Sequence, residues 1–251
     1  MCVQPSQSDT TAFTKRRTDA PPGFFAAEAN GLDWLRQAGG GPPLPEVLAL
    51  TEISITLTRI DETAPTANAA EDFGRALAAM HRCGAPYFGA DWPGFIGPLP
   101  LDNTPGTQWA EWYAERRVWP YLRQAVDAGA ISTKAAQTIE VVCHRLPDTL
   151  EPPARIHGDL WSGNLLWGRD GRCWLIDPAA HGGHRETDLA MLALFGAPQL
   201  DRILASYDDA WPLTDGWRDR LGLHQLHPLL VHAVLFGGSY GQRAAAIAEA
   251  G

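Results

Sequence analysis

The sequence lacks clustered positive charge. Its 20 lysine and arginine residues are outnumbered by 29 acidic residues, which gives a formal net charge of −9. No basic run exceeds Lys15–Arg16–Arg17. Because nucleic acids and anionic membranes are bound through clustered positive charge, we expect neither as a partner.

Cysteine is scarce, and the four cysteines are widely scattered. They form no CxxC pair and have no metal-ligand spacing, a usage typical of reduced thiols inside cells. The opening segment MCVQPSQSDTTAF has no apolar core of a signal peptide. No run approaches the ~18 apolar residues that would span a bilayer. We therefore predict a cytoplasmic protein. The cysteines are Cys2, Cys83, Cys143 and Cys173.

The chain is long enough for one large domain or two modest lobes. It has 251 residues, of which 45% are hydrophobic. Apolar spacing predicts a helix over 23–36 with Gly31 as a weak point, then two short strands at 46–50 and 53–60. Asn68, followed three positions later by Glu71, indicates the start of the next helix. The Gly/Pro-rich stretch 92–106 is predicted to be a loop.

The second part of the chain is predicted to be mostly helical. An aromatic stripe recurs at helical spacing, and we interpret it as core packing; it comprises Trp109, Trp112, Tyr113, Trp119 and Leu122. Ser132 is predicted to open another helix. The runs NLLW and RCWLI flank a Gly-Arg-Asp-Gly turn and predict a β-hairpin, after which amphipathic helices continue to the C-terminus.

The segment HGDLWSGN holds the strongest chemical signal. It matches the template H-x-D-L-x-x-x-N, in which the aspartate positions or deprotonates a hydroxyl and the asparagine binds a metal. The hairpin that begins at Asn164 then delivers a second carboxylate, Asp177, at the end of an apolar strand. Hard oxygen ligands of this kind suit Mg²⁺. The competing interpretation is that Asp159 and Asn164 merely cap a turn.

These residues resemble the catalytic loop of the aminoglycoside-phosphotransferase-like kinases. The segment is most similar to the fructosamine-3-kinase (ketosamine kinase) family, in which HGDLWSGN is followed by Asp-Pro-Ala, here Asp177-Pro178-Ala179. The similarity continues through GHRETDLAMLALFG and LHQLHPLLVHAVLFGGSY and covers roughly residues 13–245. The resemblance implies an α+β, protein-kinase-like bilobal fold. We expect a shortened mixed N-lobe at about 1–62 and a larger helical C-lobe at about 63–251 that carries the catalytic β-hairpin.

The resemblance also implies residue roles around the loop. Asp159 is the catalytic base toward the sugar hydroxyl, and Asn164 with Asp177 binds Mg²⁺. His157 is expected to hold the loop by hydrogen bonds. Trp161 could stack on the acceptor sugar or pack in the core.

Three further residues after the loop have two interpretations. Glu186 and Asp188 are expected to hydrogen-bond the catalytic loop or a helix N-terminus. Substrate contact by His184 or Glu186 is the alternative.

A kinase of this architecture needs a lysine on a strand to hold the α- and β-phosphates of ATP, and a helix glutamate to orient that lysine. Lys15 ends a short β-like run, and Glu28 lies thirteen positions later on the predicted helix. We predict that they form this ion pair, with two ordinary surface charges as the alternative. Arg59, Ile60 and Asp61 fall where the adenine-binding hinge is expected.

One family feature is missing from the sequence. Members carry a glycine-containing loop before the lysine strand, whereas residues 1–14 contain no glycine. Either the chain lacks the lid of the nucleotide site, or a longer natural chain begins upstream. A kinase without this lid is expected to bind ATP weakly and to turn over slowly.

The sequence therefore predicts an ATP- and Mg²⁺-dependent kinase that phosphorylates O-3 of a ketosamine, free or protein-bound. A kinase of another small alcohol, such as an aminoglycoside or choline, is the first alternative. A pseudokinase of low activity is the second, because the glycine loop is missing.

Overall fold

The first part of the chain forms a small antiparallel sheet covered by one helix. The computed structural model describes residues 11–250, so Cys2 and most of the glycine-free segment lie outside the described residues. The strands are β1 (Ala12–Arg16), β2 (Val47–Thr51) and β3 (Ser54–Thr58), in the order β1-β3-β2, and the helix is α1 (Phe24–Arg36). In the β1–β3 register Lys15 is opposite the buried Ile55. Directly opposed residues share a face, so Lys15 points to the covered side of the sheet.

The larger second part is mostly helical and contains three short antiparallel strand pairs. The helices are α2 (Ala67–Arg82), α3 (Trp109–Tyr113), α4 (Trp119–Asp127), α5 (Thr133–His144), α6 (Arg185–Phe195), α7 (Leu200–Ala210), α8 (Trp217–Phe236) and α9 (Tyr240–Ala250), with a π-helical turn at Ala114–Val118. The strand pairs are β4 (Gly94–Ile96) with β5 (Leu99–Leu101), β6 (Ala154–Ile156) with β9 (His181–Gly183), and β7 (Leu165–Trp167) with β8 (Cys173–Leu175). The last pair is the predicted catalytic hairpin.

Several sequence-based expectations are confirmed and two are wrong. Helix α1 has the predicted bounds, and Ser132 caps α5 by accepting a hydrogen bond from the backbone N–H of Ala135. Helix α2 starts earlier than Asn68 indicated, because the hydroxyl of Thr66 accepts from the N–H of Ala69 and caps it. The stretch 92–106, predicted to be a loop, contains the β4–β5 hairpin.

The aromatic stripe of the second part is core, as predicted. Trp109, Trp112, Tyr113 and Leu122 are all buried, and together with α8 they form one of two apolar clusters. The other cluster joins α1, the sheet, α2, the β7–β8 hairpin and α7. This second cluster therefore connects the small sheet to the catalytic hairpin. In the part of the chain that the structure describes, no helix combines the length and apolarity needed to cross a membrane.

Helices α2 and α7 approach each other closely at Gly74. A Cβ placed there would lie 2.1 Å from Oγ of Ser206 and 2.3 Å from the backbone oxygen of Ile203. Ser206 in turn donates to the carbonyl of Arg202 at 2.8 Å, so its hydroxyl is held in place. The contact requires glycine at this position.

A buried polar cluster fastens α6 to α8. Glu186, fully buried in the first turn of α6, accepts two hydrogen bonds from Arg220, at 2.5 and 3.0 Å. His224 lies 3.4 Å from the same carboxylate. Burial alone would raise the pKa of Glu186, but the hydrogen bonds from His224 and Arg220 outweigh burial and lower that pKa to about 2. Glu186 is therefore a charged anchor between two helices.

We expect Gly74→Ala to destabilise the protein by about 1–3 kcal/mol, because overpacking against a backbone oxygen exceeds the gain of ~1 kcal/mol in helix propensity. Urea unfolding of the purified chain measures the difference. Gly222→Ala in α8 is the matched control, since its new Cβ would contact mainly the side chain of Ile247, at 3.1 Å. A Gly74→Ala variant at least as stable as wild type would contradict the close approach.

Low pH should remove the negative charge of Glu186 and so weaken the attachment of α6 to α8. The pKa of Glu186 is about 2 in the folded chain and 4.5 as its ordinary value, so its contribution is present above pH 4.5 and is lost as the pH falls toward 2. Glu186→Gln is therefore expected to be less stable than wild type at pH 7, with a difference that shrinks below pH 4.5. Unfolding free energies across this range test it, with exposed Glu140→Gln as the control. A difference independent of pH would contradict the charged anchor.

Candidate active site

The catalytic loop is held by one buried carboxylate. Asp188, in the first turn of α6, accepts hydrogen bonds from the backbone N–H of His157 at 2.7 Å and of Gly158 at 2.9 Å. His81 of α2 lies 3.1 Å from the same carboxylate and 2.9 Å from the hydroxyl of Tyr207. Burial would raise the pKa of Asp188, but the hydrogen bond from His81 and the other donors lower it. Asp188 therefore holds the loop as an ionised acceptor, in agreement with its predicted role.

His157 and Gly158 set the direction in which the loop leaves β6. His157 is fully buried, and its Nε2 donates to the carbonyl of Ile176 at 2.9 Å, while its Nδ1 accepts from the N–H of Asp159 at 3.2 Å. Burial lowers the pKa of His157, so the ring is neutral and structural. Gly158 has φ of +80°, and a Cβ there would lie 2.3 Å from the backbone oxygen of Ala179. The loop thus packs directly on the segment that follows Asp177.

Asp159 is half-buried and bound by the asparagine of the motif. Nδ2 of Asn164 donates to the backbone oxygen of Asp159 at 2.8 Å and to its carboxylate at 3.1 Å. Burial raises the pKa of Asp159 to about 7, against the hydrogen bond from Asn164, and the charges of Asp177 and Asp188 raise it further. A carboxylate with a pKa near neutrality is well matched to accepting a proton from a hydroxyl.

Asp177 occupies a backbone conformation that is uncommon for a residue with a side chain. Its φ is +54°, in the left-handed region, which few residues with a side chain adopt and which is over-represented at active sites. Its carboxylate is ion-paired with Lys15 and stays 44% exposed. Lys15 also donates to Glu28 at 2.6 Å, so the predicted pair exists and a third charge joins it. The ammonium therefore links the small sheet to the end of the catalytic hairpin.

Glu28 is less exposed than its partner, and its surroundings explain its electrostatics. Its side chain is 12% exposed. Burial raises the pKa of Glu28, the charge of Lys15 opposes that effect, and Asp177 adds to it.

One turn further along α1, the Cα of Gly31 faces Ala180 and Pro178, which a Cβ would meet at 3.2 and 3.4 Å. Gly31 is thus a packing contact between α1 and the segment after Asp177.

The predicted site residues meet in one cavity, which we call the catalytic cavity. It has a volume of about 270 Å³, and its wall includes Lys15, Glu28, Asp159, Trp161, Asn164 and Asp177 together with the β4–β5 hairpin. Trp161 is 41% exposed, which is inconsistent with core packing. The ring folds back over Gly163, where a Cβ would lie 2.3 Å from it. An exposed aromatic face therefore lies beside the carboxylate of Asp159.

The oxygen atoms of this cavity fit a divalent cation. Because Asn164 donates through Nδ2, its amide oxygen is left as a free acceptor, and no hydrogen bond to that oxygen is found within residues 11–250. The half-exposed carboxylate of Asp177 supplies a second hard ligand. Mg²⁺ is held in kinases by one or two such groups together with substrate phosphates. The pair Asn164 and Asp177 therefore suits Mg²⁺ as predicted.

Two other groups of predicted residues lie outside the catalytic cavity. Arg59, Ile60 and Asp61 line a separate groove of about 650 Å³, and this groove has no residue in common with the catalytic cavity. Their nucleotide role stays a prediction. His184 caps α6 by accepting from the N–H of Glu186, and both residues are buried in the α6–α8 cluster. Substrate contact by His184 or Glu186 is not supported, because the first turn of α6 faces the core.

Two parts of the site, a histidine and a hairpin, were not predicted from the sequence. His81, which holds Asp188, lies 107 positions before it, and the β4–β5 hairpin forms one wall of the cavity. A usable sequence signal is the scarcity of lysine, because the chain has just two, Lys15 and Lys134. Lys134 lies on α5, so Lys15 is the candidate that remains for a strand lysine, and its binding of phosphate stays a prediction.

Sequence comparison relates the whole chain to one family. The model of the family described as fructosamine kinase matches residues 1–250. A "Probable ketoamine kinase" of Thermus thermophilus is 35% identical over 90% of this chain and 82% of the relative. The "Protein-ribulosamine 3-kinase, chloroplastic" of Arabidopsis thaliana is 31% identical over 94% of this chain and 74% of that protein.

Structural comparison gives the same relationship. A crystal structure from Thermobifida fusca, assigned as a fructosamine-3-kinase, shares 53% identity with a TM-score of 0.90, covering 95% of this chain and 84% of that one. Spectinomycin phosphotransferase, at 14% identity and a TM-score of 0.58, shares the fold alone, covering 97% of this chain and 89% of that one. The fold is thus the bilobal, protein-kinase-like one, and the chain belongs to the fructosamine kinase family.

Proposed function

We propose that the chain is an ATP-dependent kinase that phosphorylates the O-3 hydroxyl of ketosamines, the adducts of ketoses with amines. The observation that carries this proposal is the meeting of Asp159, Asn164, Asp177 and Lys15 in one cavity, within a chain that belongs to the fructosamine kinase family. Family membership favours a ketosamine over an aminoglycoside or choline as the acceptor. The complete charged set also favours a catalyst over a pseudokinase.

The proposed reaction is a transfer of one phosphoryl group between two oxygens. The acceptor hydroxyl forms a new P–O bond, the bond from the γ-phosphorus to the bridging oxygen of ATP breaks, and ADP leaves. The hydroxyl proton passes to the carboxylate of Asp159, whose pKa of about 7 suits this exchange. Asn164 keeps the carboxylate oriented through its hydrogen bond at 3.1 Å.

Lys15 and the ligands of the cation act on the phosphate side. Lys15, oriented by Glu28 at 2.6 Å, would bind the phosphates of ATP. Asn164 and Asp177 would hold Mg²⁺, which neutralises negative charge on the transferred group. Lys15 is ion-paired with Asp177 here, so phosphates bound to Lys15 would free the Asp177 carboxylate to hold the cation.

Trp161 and the predicted adenine-binding hinge, residues 59–61, have the remaining proposed roles. The exposed indole beside Asp159 would stack on the ring of the acceptor sugar. Arg59, Ile60 and Asp61 would bind adenine through their backbone. Within residues 11–250 the carbonyl of Arg59 and the N–H of Asp61 make no backbone hydrogen bond, which would suit contact with a base. Location in the cytoplasm and the lobe boundary near residue 62 also stay predictions.

Asp159→Asn is expected to lower kcat by about 100- to 10,000-fold, because the amide cannot accept the proton, while the KM for ATP changes little. Coupled detection of ADP with a fructosyl- or ribulosyl-amine acceptor measures the rate. Asp127→Asn, an exposed aspartate at the end of α4, is the control. Unchanged turnover in Asp159→Asn would remove the base from the proposed mechanism.

Asp177→Asn is expected to raise the Mg²⁺ concentration for half-maximal rate by at least about tenfold, because a carboxylate ligand is lost. Rates at varied free Mg²⁺ and direct titration with Mn²⁺ give two independent measurements. Asp209→Asn, which alters an exposed aspartate of α7 that lines neither the catalytic cavity nor the groove at residues 59–61, is the control. Equal cation affinity in Asp177→Asn and wild type would contradict the assigned ligand.

A further inference from the structure

Arg155 joins the strand that leads into the catalytic loop to the helix that carries Glu28. It lies in β6, two residues before His157, and the Cζ of its guanidinium is 4.4 Å from the centre of the Trp34 ring, in the last turn of α1. Its Nη1 also donates to the backbone oxygen of Trp34. A guanidinium that stacks on the ring and binds the backbone of one residue restricts how that residue can move. The end of α1 is therefore attached to β6.

The surroundings of Arg155 suit a cation. Within residues 11–250 both hydrogen bonds of its side chain go to backbone oxygens, that of Trp34 and, at 3.4 Å from Nε, that of Gly84, which follows the end of α2. The guanidinium thus lies between the C-terminal ends of α1 and α2, where the aligned peptide dipoles place partial negative charge. A fixed fork of donors combined with a flat stacking face is a property of arginine that lysine does not share.

Trp92 packs against the same indole. Its ring meets the ring of Trp34 nearly edge-on, with the centroids 5.8 Å apart and the planes inclined by 70°. Trp92 precedes β4 and lines the catalytic cavity. The side chain of Trp34 is thus held both by the strand of the catalytic loop and by the wall of the cavity.

Gly31 is the point about which α1 can tilt. It lies three residues from Glu28 on one side and three from Trp34 on the other, and there the helix rests on residues 178–180 without a Cβ of its own. Six residues of helix span about 9 Å, a length over which a helix moves as a rigid rod. A shift of the Trp34 end would therefore tilt the Glu28 end. Because Glu28 accepts from Lys15 at 2.6 Å, that tilt would displace the ammonium.

We propose that Arg155 is a positioning residue for the nucleotide site: by fixing Trp34 it holds α1 in the orientation in which Glu28 directs Lys15 toward the phosphates of ATP. The inference rests on the nucleotide role of Lys15 in the proposed function and does not depend on the identity of the acceptor. Arg155 does not line the catalytic cavity, so it acts through Glu28 and not by contact with a substrate.

The test measures the affinity of the full chain for Mg·ATP by titration calorimetry. Arg155→Met keeps the apolar stem and removes the cation and both donors, and we expect it to raise the Kd by about fivefold or more. Phe24 still packs on Phe95 at 5.2 Å and limits the tilt, so the loss should be partial. Arg155→Lys, which keeps the charge and loses the fork, should lie between Arg155→Met and wild type.

A second variant and a second substrate make the test specific. Trp34→Leu removes the surface on which the guanidinium rests, so it should raise the Kd for Mg·ATP as Arg155→Met does, and the two together should do little more. The KM for a fructosyl-amine acceptor at saturating ATP should change by less than about twofold in each variant, because the acceptor does not depend on Lys15.

A double-mutant cycle with Glu28 separates positioning from general stabilisation. Glu28→Gln by itself weakens the hold on Lys15 and should raise the Kd for Mg·ATP. Adding Arg155→Met to Glu28→Gln should raise the Kd by no more than about twofold further, because the contact through which Arg155 acts is already lost. Two residues that acted independently would multiply their effects.

Arg82→Met is the matched control. Arg82 also lies over an indole, with its Cζ 5.5 Å from the centre of the Trp211 ring, and it also donates to a backbone oxygen, that of Ala210. This pair joins α2 to the end of α7 and lies outside the catalytic cavity. Arg82→Met should leave the Kd for Mg·ATP unchanged.

The outcomes decide this inference separately from the proposed function. An Arg155→Met chain that binds Mg·ATP as tightly as wild type overturns it, even if the melting temperature falls. Equal losses from Arg155→Met in the wild-type and Glu28→Gln backgrounds overturn it too, since Arg155 would then act by another route. If the variants behave as expected while no ketosamine is phosphorylated, the positioning role stands and the proposed acceptor fails. A wild-type chain that binds no nucleotide overturns both.

Discussion

The carboxylate of Asp188 is the constraint on which the geometry of the site depends. It is fully buried, and two successive backbone N–H groups of the catalytic loop bind it, with His81 as a third donor. A buried ionised group that lost these donors would be costly, so the loop and the first turn of α6 fix each other. The direction of Asp159 follows from that attachment. Asp188 does not line the cavity, yet it determines where the Asp159 carboxylate points.

A second junction unites the small sheet with the catalytic hairpin. Lys15 comes from β1 and Asp177 from the end of β8, and Glu28 binds the same ammonium from α1. The glycine in α1 allows the helix to lie against Pro178 and Ala180, just after Asp177. Charge and close packing therefore join the same two parts of the chain. Movement of α1 would therefore displace Lys15 and Asp177 together.

Sequence patterns revealed those parts of the site that are local in the chain. Asp159, Asn164 and Asp177 lie in one loop and hairpin, where spacing and strand periodicity suffice to predict their meeting. Substrate contact by His184 or Glu186 is not supported, because nearness in sequence to Asp177 does not imply nearness in space. Helix α6 begins there and turns its first residues into the core.

Contacts between distant segments could not be predicted in the same way. The partnership of His81 with Asp188 depends on how α2 and α6 pack, and helical periodicity alone does not specify that packing. The cavity of about 220 Å³ beside α8 is a second example. Its apolar residues have the spacing of ordinary core positions, yet they line this cavity together with Ile96 and Gly97 of the β4–β5 hairpin.

The scarcity of lysine has a consequence for the chemical durability of the protein. Sugars condense with amines in their uncharged form, so lysine side chains are the usual targets of glycation. This chain has just two lysines, and one of them, Lys15, is ion-paired with the carboxylates of Glu28 and Asp177. A protein that acts on glycated amines thus has very few lysine side chains that sugars could modify.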